Sequence, residues 1–169
     1  INLSLEFSTD VKAVEIPTLL KAIRYTNSQS AVVVGASGNE AHTAIAFPAR
    51  ATDVLAVGAT TEHGCVSEFS NQGPGLDLVA PGGGGDAVAE DPGCAPDGEP
   101  GHDIFQVTYT RFSTRRFGIP GGYEGTSMAA PHVSAIAALI VASRVIGPDP
   151  TPKAIQRRMA ATARDLGAP

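Results

Sequence analysis

The segment GTSMAAPH, residues 125–132, contains the side chain with the clearest chemical potential in this sequence, Ser127. A serine hydroxyl is a useful nucleophile only when a nearby base accepts its proton. Small residues around Ser127 lead into an apolar run, which predicts that the serine lies where a helix begins. Free backbone N–H groups and the helix dipole favour negative charge at such a position. Ser127 is therefore either a nucleophile beside an anion-stabilising N–H group or a simple helix cap.

A second segment, VVVGASGNE at residues 32–40, presents Asn39 just after a predicted strand. The β-branched run ends at Gly35, and a turn of small residues follows it. An amide side chain at the carboxyl end of a strand can donate a hydrogen bond to an oxyanion that develops during acyl transfer. Taken alone, Asn39 is more simply explained as a turn residue.

The elements that must position these side chains alternate between strands and helices. Apolar runs predict four strands, at residues 1–5, 31–35, 54–58 and 76–80. Between the first two strands, Ile16, Leu19 and Ile23 belong to the i, i+3, i+4, i+7 pattern of an amphipathic helix. A strand, helix and strand in this order predict a parallel crossover, and hence an α/β fold with a mainly parallel sheet.

Two further helices are predicted in the last third of the chain. Residues 127–145 are apolar on nearly all sides, so this helix is expected to be buried. The last helix is expected to start at Thr151-Pro152, a cap followed by proline in the first turn. Ile155, Met159 and Ala163 are predicted to face inward, and Gly167 is predicted to end the helix.

The composition limits the classes of protein to which the chain can belong. It has 169 residues, of which 43% are hydrophobic and 17% charged, as suits one globular domain with a core. The net charge is −5 and no basic stripe occurs, which argues against nucleic acid as a partner. By inspection no apolar run reaches the roughly 18–20 residues that cross a membrane, so no membrane span is expected.

The stretch at residues 82–101 has five acidic residues, no basic residue and many glycines and prolines, which predicts a surface loop. Cys94 lies in it and Cys65 precedes it; they are either a disulfide, which would imply an oxidising compartment, or two free thiols. A metal site built from these cysteines with His63 and His102 is a weaker alternative, because the spacing fits no common zinc pattern. No metal ligand is assigned.

In chain order, these segments resemble the subtilisin-like serine proteases, the subtilase family. GTSMAAPH resembles the nucleophile motif of that family at every position, and VVVGASGNE resembles its oxyanion segment. INLSL at residues 1–5 resembles the strand that pairs with substrate, and residues 47–59 and 69–82 resemble the following strands. The resemblance implies a three-layer α/β/α fold in which residues 1–169 form the C-terminal portion of the peptidase domain. The N-terminal part would be missing, and about 83–121 would be a loop insertion.

The resemblance also implies a role for individual residues. Ser127 would attack the peptide carbonyl, while the Asn39 side chain and the Ser127 N–H would hold the oxyanion. Ser4 and Leu5 would line the strand that pairs with the substrate backbone. One wall of the pocket for the side chain before the scissile bond would be formed by Ala36, Ser37 and Gly38. His132 would be a framework residue, and the Phe47-Pro48 peptide would be cis. Calcium and an extracellular location are further family traits.

Glu6 departs from the family pattern, which usually has glycine at this position. A carboxylate there would narrow the substrate cleft or favour a basic substrate residue. The alternative is that Glu6 points into solvent. The sequence leaves both interpretations open.

The base for Ser127 is missing from the motifs of this chain. The family order is Asp, His, Ser, and neither the Asp nor the His motif occurs here. His132 is no substitute, because five residues of helix turn it about 140° away from Ser127. We therefore expect a serine endopeptidase whose Asp and His lie in the missing N-terminal part of the same domain. The alternative is a non-catalytic subtilisin-like domain that binds peptides or partners.

Overall fold

The computed structural model describes residues 1–87, 93–110 and 113–166, and a four-stranded parallel sheet lies at its centre. Its strands are β1 (Asn2–Leu3), β2 (Val34–Ala36), β3 (Leu55–Thr60) and β4 (Leu78–Pro81). They lie side by side in chain order, and every neighbouring pair is parallel. The predicted strands are thus confirmed with shifted or shortened bounds, and β2 and β3, both buried along their whole length, form the middle of the sheet.

Helices cover both faces of this sheet. Two pairs of consecutive residues, Val33 with Val34 and Val54 with Leu55, send their side chains into different hydrophobic clusters. Successive side chains of a strand point to opposite faces, so each cluster belongs to one face. One cluster contains Ile23 of α1 (Pro17–Ser28), and the other contains residues of α2 (Thr126–Ser143) and α3 (Pro152–Thr162). The predicted three-layer α/β/α arrangement is confirmed.

The last helix begins as its sequence predicts, and the first helix begins in a similar way. Pro17 and Pro152 each lie in the first turn, where the missing N–H is not needed. The Thr151 hydroxyl accepts a hydrogen bond from the Ala154 N–H at 3.2 Å. Ile155 and Met159 are buried, as predicted. Ala163 is exposed, against the prediction, because α3 ends at Thr162 and the chain turns away there; Gly167 lies outside the described residues.

Helix α2 packs against the sheet on one side only, which corrects the expectation that it is buried all round. Val133, Ala137 and Ile140 lie in the core, whereas Ile136 and Leu139 are 48% and 66% exposed. The helix is also long and apolar enough to cross a membrane by length and composition, contrary to the expectation that no segment is. Core helices meet the same criterion, and its buried face contacts the sheet. Apolar residues on nearly all sides of α2 therefore did not predict which of its sides pack against the rest of the protein.

A disulfide and a hairpin organise the segment before α2. Cys65 and Cys94 form a disulfide with a Cα–Cα distance of 5.8 Å, which decides between the two interpretations of the cysteines. A hairpin is formed by β5 (Thr108–Thr110) and β6 (Ser113–Gly118), which pair antiparallel. Before the hairpin, Ile104 forms an isolated antiparallel bridge with Tyr123.

Candidate active site

Ser127 lies in the first turn of α2, as its sequence context predicts. The helix is capped by Gly125, whose φ of +137° is in the region that favours glycine. Thr126 is fully buried, whereas Ser127 is half-buried. The N–H groups of a first helical turn have no intrahelical acceptor, so the Ser127 N–H is oriented to serve an external one.

Proline at position 131 changes the hydrogen bonding of this turn. Pro131 has no N–H, so the carbonyl of Ser127, four residues earlier, lacks its usual helical donor. The Ser4 hydroxyl donates to that carbonyl instead, at 2.7 Å. In return the Ser127 hydroxyl faces the Ser4 carbonyl at 3.4 Å. Two residues 123 positions apart in the chain are thereby joined at the start of α2.

Asn39 is held next to the serine by the residue between Gly125 and Ser127. The Asn39 side-chain oxygen accepts from the Thr126 N–H at 2.8 Å and from the Thr126 hydroxyl at 3.1 Å. With its oxygen fixed in this way, the amide group must present its NH₂ on the opposite side. The structure therefore brings Asn39 and the start of α2 together, across 87 positions of sequence.

The turn that carries Asn39 is clamped by Asn71, a residue that the sequence analysis did not single out. The Asn71 side-chain oxygen accepts from the N–H groups of Glu40 and His42, at 3.1 and 2.9 Å. Its side-chain nitrogen donates to the Ser37 carbonyl at 3.3 Å. Asn71 is fully buried. The only sequence signal was its place among the family segments, at residues 69–82, which indicates a framework segment but no particular role.

The proposed substrate-binding residues lie on two neighbouring segments. Ala36, Ser37 and Gly38 are buried at the end of β2, whereas Ser4 and Leu5 are exposed after β1. β1 and β2 are adjacent and parallel, so both segments leave the sheet at the same edge. Each segment contacts the start of α2: Ser4 donates to the Ser127 carbonyl, and the Gly38 N–H donates to the Thr126 hydroxyl at 3.3 Å.

Glu6 does not point into solvent, which excludes one of its two interpretations. One carboxylate oxygen accepts from the Asn39 N–H at 2.9 Å, and the other accepts from the Asn39 side-chain NH₂ at 3.0 Å. A Cβ added to Gly38 would lie 2.6 Å from the same carboxylate. Glu6 therefore reaches from the first segment across to the second.

All four histidines lie within the described residues, and each of them has a partner other than Ser127. His42 contacts Thr9, His63 contacts Asp86, and His102 contacts Glu62. His132 Nδ1 donates to the Met128 carbonyl at 2.8 Å, along its own helix, in keeping with a framework role. The described part of the chain thus supplies Ser127 with no histidine as a base.

One ionisable group with a shifted pKa, Asp86, lies inside the disulfide-linked loop, and two others, Glu62 and His102, flank it in sequence. A hydrogen bond from the Thr61 hydroxyl, then one from the Ala95 N–H, holds the pKa of buried Asp86 below its ordinary value. Hydrogen bonds between His102 and Glu62 lower the pKa of Glu62 and raise that of His102. Because Cys65 and Cys94 are bonded to each other, their sulfurs are not thiolate ligands, and the zinc-site alternative loses its basis.

Comparison with known proteins gives a consistent set of similarities. The profile described as "Subtilase family" matches residues 1–169. The "Thermostable alkaline protease" of Halalkalibacterium halodurans is 32% identical over 169 residues, which are 100% of this chain and 37% of that protein. The "Extracellular protease" of Xanthomonas campestris pv. campestris is 32% identical over 152 residues, or 88% of this chain and 22% of that protein.

The fold is likewise similar to that of solved proteases. The structure of a protease from the bacterium Pseudoalteromonas arctica superposes with a TM-score of 0.75 at 32% identity. The match covers 98% of this chain and 44% of that one. The chain therefore spans less than half the length of each of these three relatives.

Proposed function

The chain belongs to the subtilase family, and from this premise we propose that the protein carrying it is a serine endopeptidase with Ser127 as its nucleophile. The observation that carries the proposal is the contact between Asn39 and Thr126. It places an amide donor beside the first turn of α2, where Ser127 and its N–H lie. If Ser127 were only a helix cap, it would not need an amide donor beside it. If Asn39 were only a turn residue, it would not need to lie next to the start of α2.

The proposed reaction follows from these groups. The Ser127 oxygen attacks the peptide carbonyl and gives its proton to a base, forming a tetrahedral intermediate whose oxygen is negative. The Asn39 NH₂ and the Ser127 N–H donate hydrogen bonds to that oxygen. The C–N bond then breaks, the leaving amine takes the proton, and an acyl-enzyme remains on Ser127. Water hydrolyses the ester and regenerates the serine.

We propose that the base, a histidine oriented by an aspartate, is supplied by a part of the protein outside this chain. The relatives are more than twice as long as the matched region, which leaves room for both residues. The uncovered side of α2, with exposed Ile136, Leu139 and Val141, supports a further layer of the same domain packing there. On this basis the chain alone is expected to be inactive.

We also propose that the protein acts outside the cell on protein or peptide substrates. The disulfide is the type of bond that persists in oxidising compartments, and the relative from Xanthomonas is named as an extracellular protease. Neither nucleic acid nor a membrane is proposed as a partner. Calcium remains a family-based proposal to which we assign no residue.

A fluorophosphonate probe tests the proposed function, because it reacts with activated serines and spares ordinary ones. We expect the full-length protein to be labelled at Ser127, as located by peptide mass, and the Ser127→Ala variant not to be labelled. The chain alone should remain unlabelled. A full-length protein that folds but takes no label would support the non-catalytic, peptide-binding alternative. Labelling of the chain alone would show that the base lies within it.

A further inference from the structure

The carboxylate of Glu6 spans the space between the two segments that the proposed function assigns to the substrate pocket. Glu6 follows Ser4 and Leu5 on the first segment, and its oxygens bind the backbone and side chain of Asn39 on the second. The 2.6 Å approach to the Cβ position of Gly38 shows that the carboxylate lies directly over the second wall. A substrate side chain that enters between these walls must therefore meet a negative charge.

The carboxylate keeps hydrogen-bonding capacity for such a side chain. A carboxylate has roughly four acceptor positions, and the two contacts with Asn39 use one on each oxygen. Glu6 is only partly buried, so its remaining acceptor positions are accessible to solvent or to a bound cation. Both contacts also fix the rotamer of Glu6. Pairing with a cation therefore costs less side-chain conformational entropy here than at a mobile acidic residue on the surface.

We propose that Glu6 is a specificity-determining residue that makes this site prefer lysine or arginine immediately before the scissile bond; the proposal rests on the endopeptidase function proposed above. An apolar side chain in the same place would remove water from the carboxylate and return no hydrogen bond, which is unfavourable. An ammonium or guanidinium group would replace that water with a charge-assisted hydrogen bond. The preference comes from the difference between these two cases.

The test compares two peptides that differ only in the residue before the scissile bond, lysine or norleucine. Both side chains have an unbranched aliphatic stem, so the comparison isolates the ammonium group. With the full-length protein we expect kcat/KM to favour lysine by at least about tenfold. Glu6→Gln keeps the side-chain size and an acceptor for the Asn39 N–H but removes the charge, so the ratio should fall to near one. Glu6→Gly should give the same result if the glutamine variant does not fold.

Glu15→Gln is the matched control, because it removes the same charge from an exposed glutamate outside the site, and its lysine-to-norleucine ratio should equal that of the wild type. Equal cleavage of both peptides by unlabelled wild-type enzyme, from a preparation whose separate sample takes the probe at Ser127, would overturn the proposal while leaving the endopeptidase function intact. A Glu6→Gln variant that loses activity on both peptides would also overturn it, since Glu6 would then act by positioning Asn39.

If the full-length protein takes no probe and cleaves neither peptide, the endopeptidase function fails, and binding decides the proposal for Glu6. Fluorescence anisotropy with the same two peptides, labelled with a fluorophore, then gives the Kd of each. Tighter binding of the lysine peptide that disappears in Glu6→Gln supports a cation-selective pocket. Equal binding of the two peptides contradicts it.

Discussion

At the scale of single residues, the site depends on Asn39, whose amide is used at both ends. Its oxygen is held by Thr126, while one hydrogen of its NH₂ goes to Glu6. An NH₂ group has two hydrogens, so the second is left for the oxyanion that the proposed mechanism requires. The structure thus accounts for the orientation of the side chain by contacts with residues outside its own turn.

Replacing Asn39 by alanine should remove one oxyanion donor and slow the chemical step. We expect kcat of the full-length protein to fall about 10²–10³-fold with little change in KM, a magnitude known from subtilisin itself. Steady-state kinetics on a peptide substrate measure both constants. Asn27→Ala, a change of the same type at the end of α1, should leave kcat unchanged. A rise in KM at constant kcat would show that Asn39 binds substrate in its ground state instead.

At the scale of elements, the turn after β2 is a stable platform because a separate segment holds it. Asn71 satisfies two N–H groups of the turn and one carbonyl, so three polar groups of this irregular backbone have a partner within the protein. Gly38 is required beneath it, with a φ of +117° and a Cβ position only 2.1 Å from the Asn71 amide nitrogen. Catalytic position and fold stability therefore depend on the same contacts.

Asn71→Ala should destabilise the fold and displace Asn39 together. The change leaves the N–H groups of Glu40 and His42, two exposed residues, without their acceptor, at a cost of about 0.5–1.5 kcal/mol for each lost hydrogen bond. We expect a lower free energy of unfolding in urea and, below the unfolding transition, a lower kcat. Asn71→Asp keeps the acceptor oxygen and should restore part of both. An unchanged kcat in a measurably destabilised alanine variant would show that the turn positions Asn39 unaided.

The disulfide-linked loop contains a buried carboxylate, Asp86, whose hydrogen bonds depend on its ionisation. Asp86 is buried, and its pKa is lowered below 3.8, so the folded state gains stability from it above that pH. This contribution is lost as the pH falls through the lowered pKa. We expect the midpoint of thermal unfolding to fall below about pH 4 more steeply in the wild type than in Asp86→Asn. Parallel pH profiles of the two proteins would contradict this role of Asp86.

At the scale of the whole molecule, the parallel sheet determines where the site forms. β1 and β2 are neighbours that end at one edge, and α2 begins at the same edge. Polar residues placed just after parallel strands therefore meet each other and the positive end of a helix. The loop beyond β4 is connected to this framework by the disulfide, which joins residues 29 positions apart.

Removal of the disulfide should destabilise the folded protein through the unfolded chain. For a closed loop of this length, chain entropy gives about 3.5 kcal/mol. We expect the double variant Cys65→Ser, Cys94→Ser to lose a free energy of unfolding of this order in urea. Reduction of the wild type should have the same effect, and reductant should not destabilise the double variant further. A wild type that is equally stable with and without reductant would exclude a stabilising role.

The sequence by itself determined the local features of this protein. The starts of α1 and α3 depend on a proline or a capping threonine within one turn, and the strands on runs of apolar residues. The family motifs around Ser127 and Asn39 are equally local, and together with the order of the elements they were enough for the α/β/α fold. Interactions between residues close in sequence depend on the local backbone, so the order of residue types is enough to indicate them.

Only the tertiary structure decided the contacts that connect these pieces. The bond between Glu6 and Asn39, the clamp by Asn71 and the pairing of Cys65 with Cys94 join residues 29–34 positions apart. The sequence also did not predict which side of α2 is exposed, because apolar residues on nearly all sides of a helix do not indicate which side packs against a neighbour. Such contacts depend on how the chain packs around the sheet. The sequence could name the candidate residues, but only packing determines which of them meet.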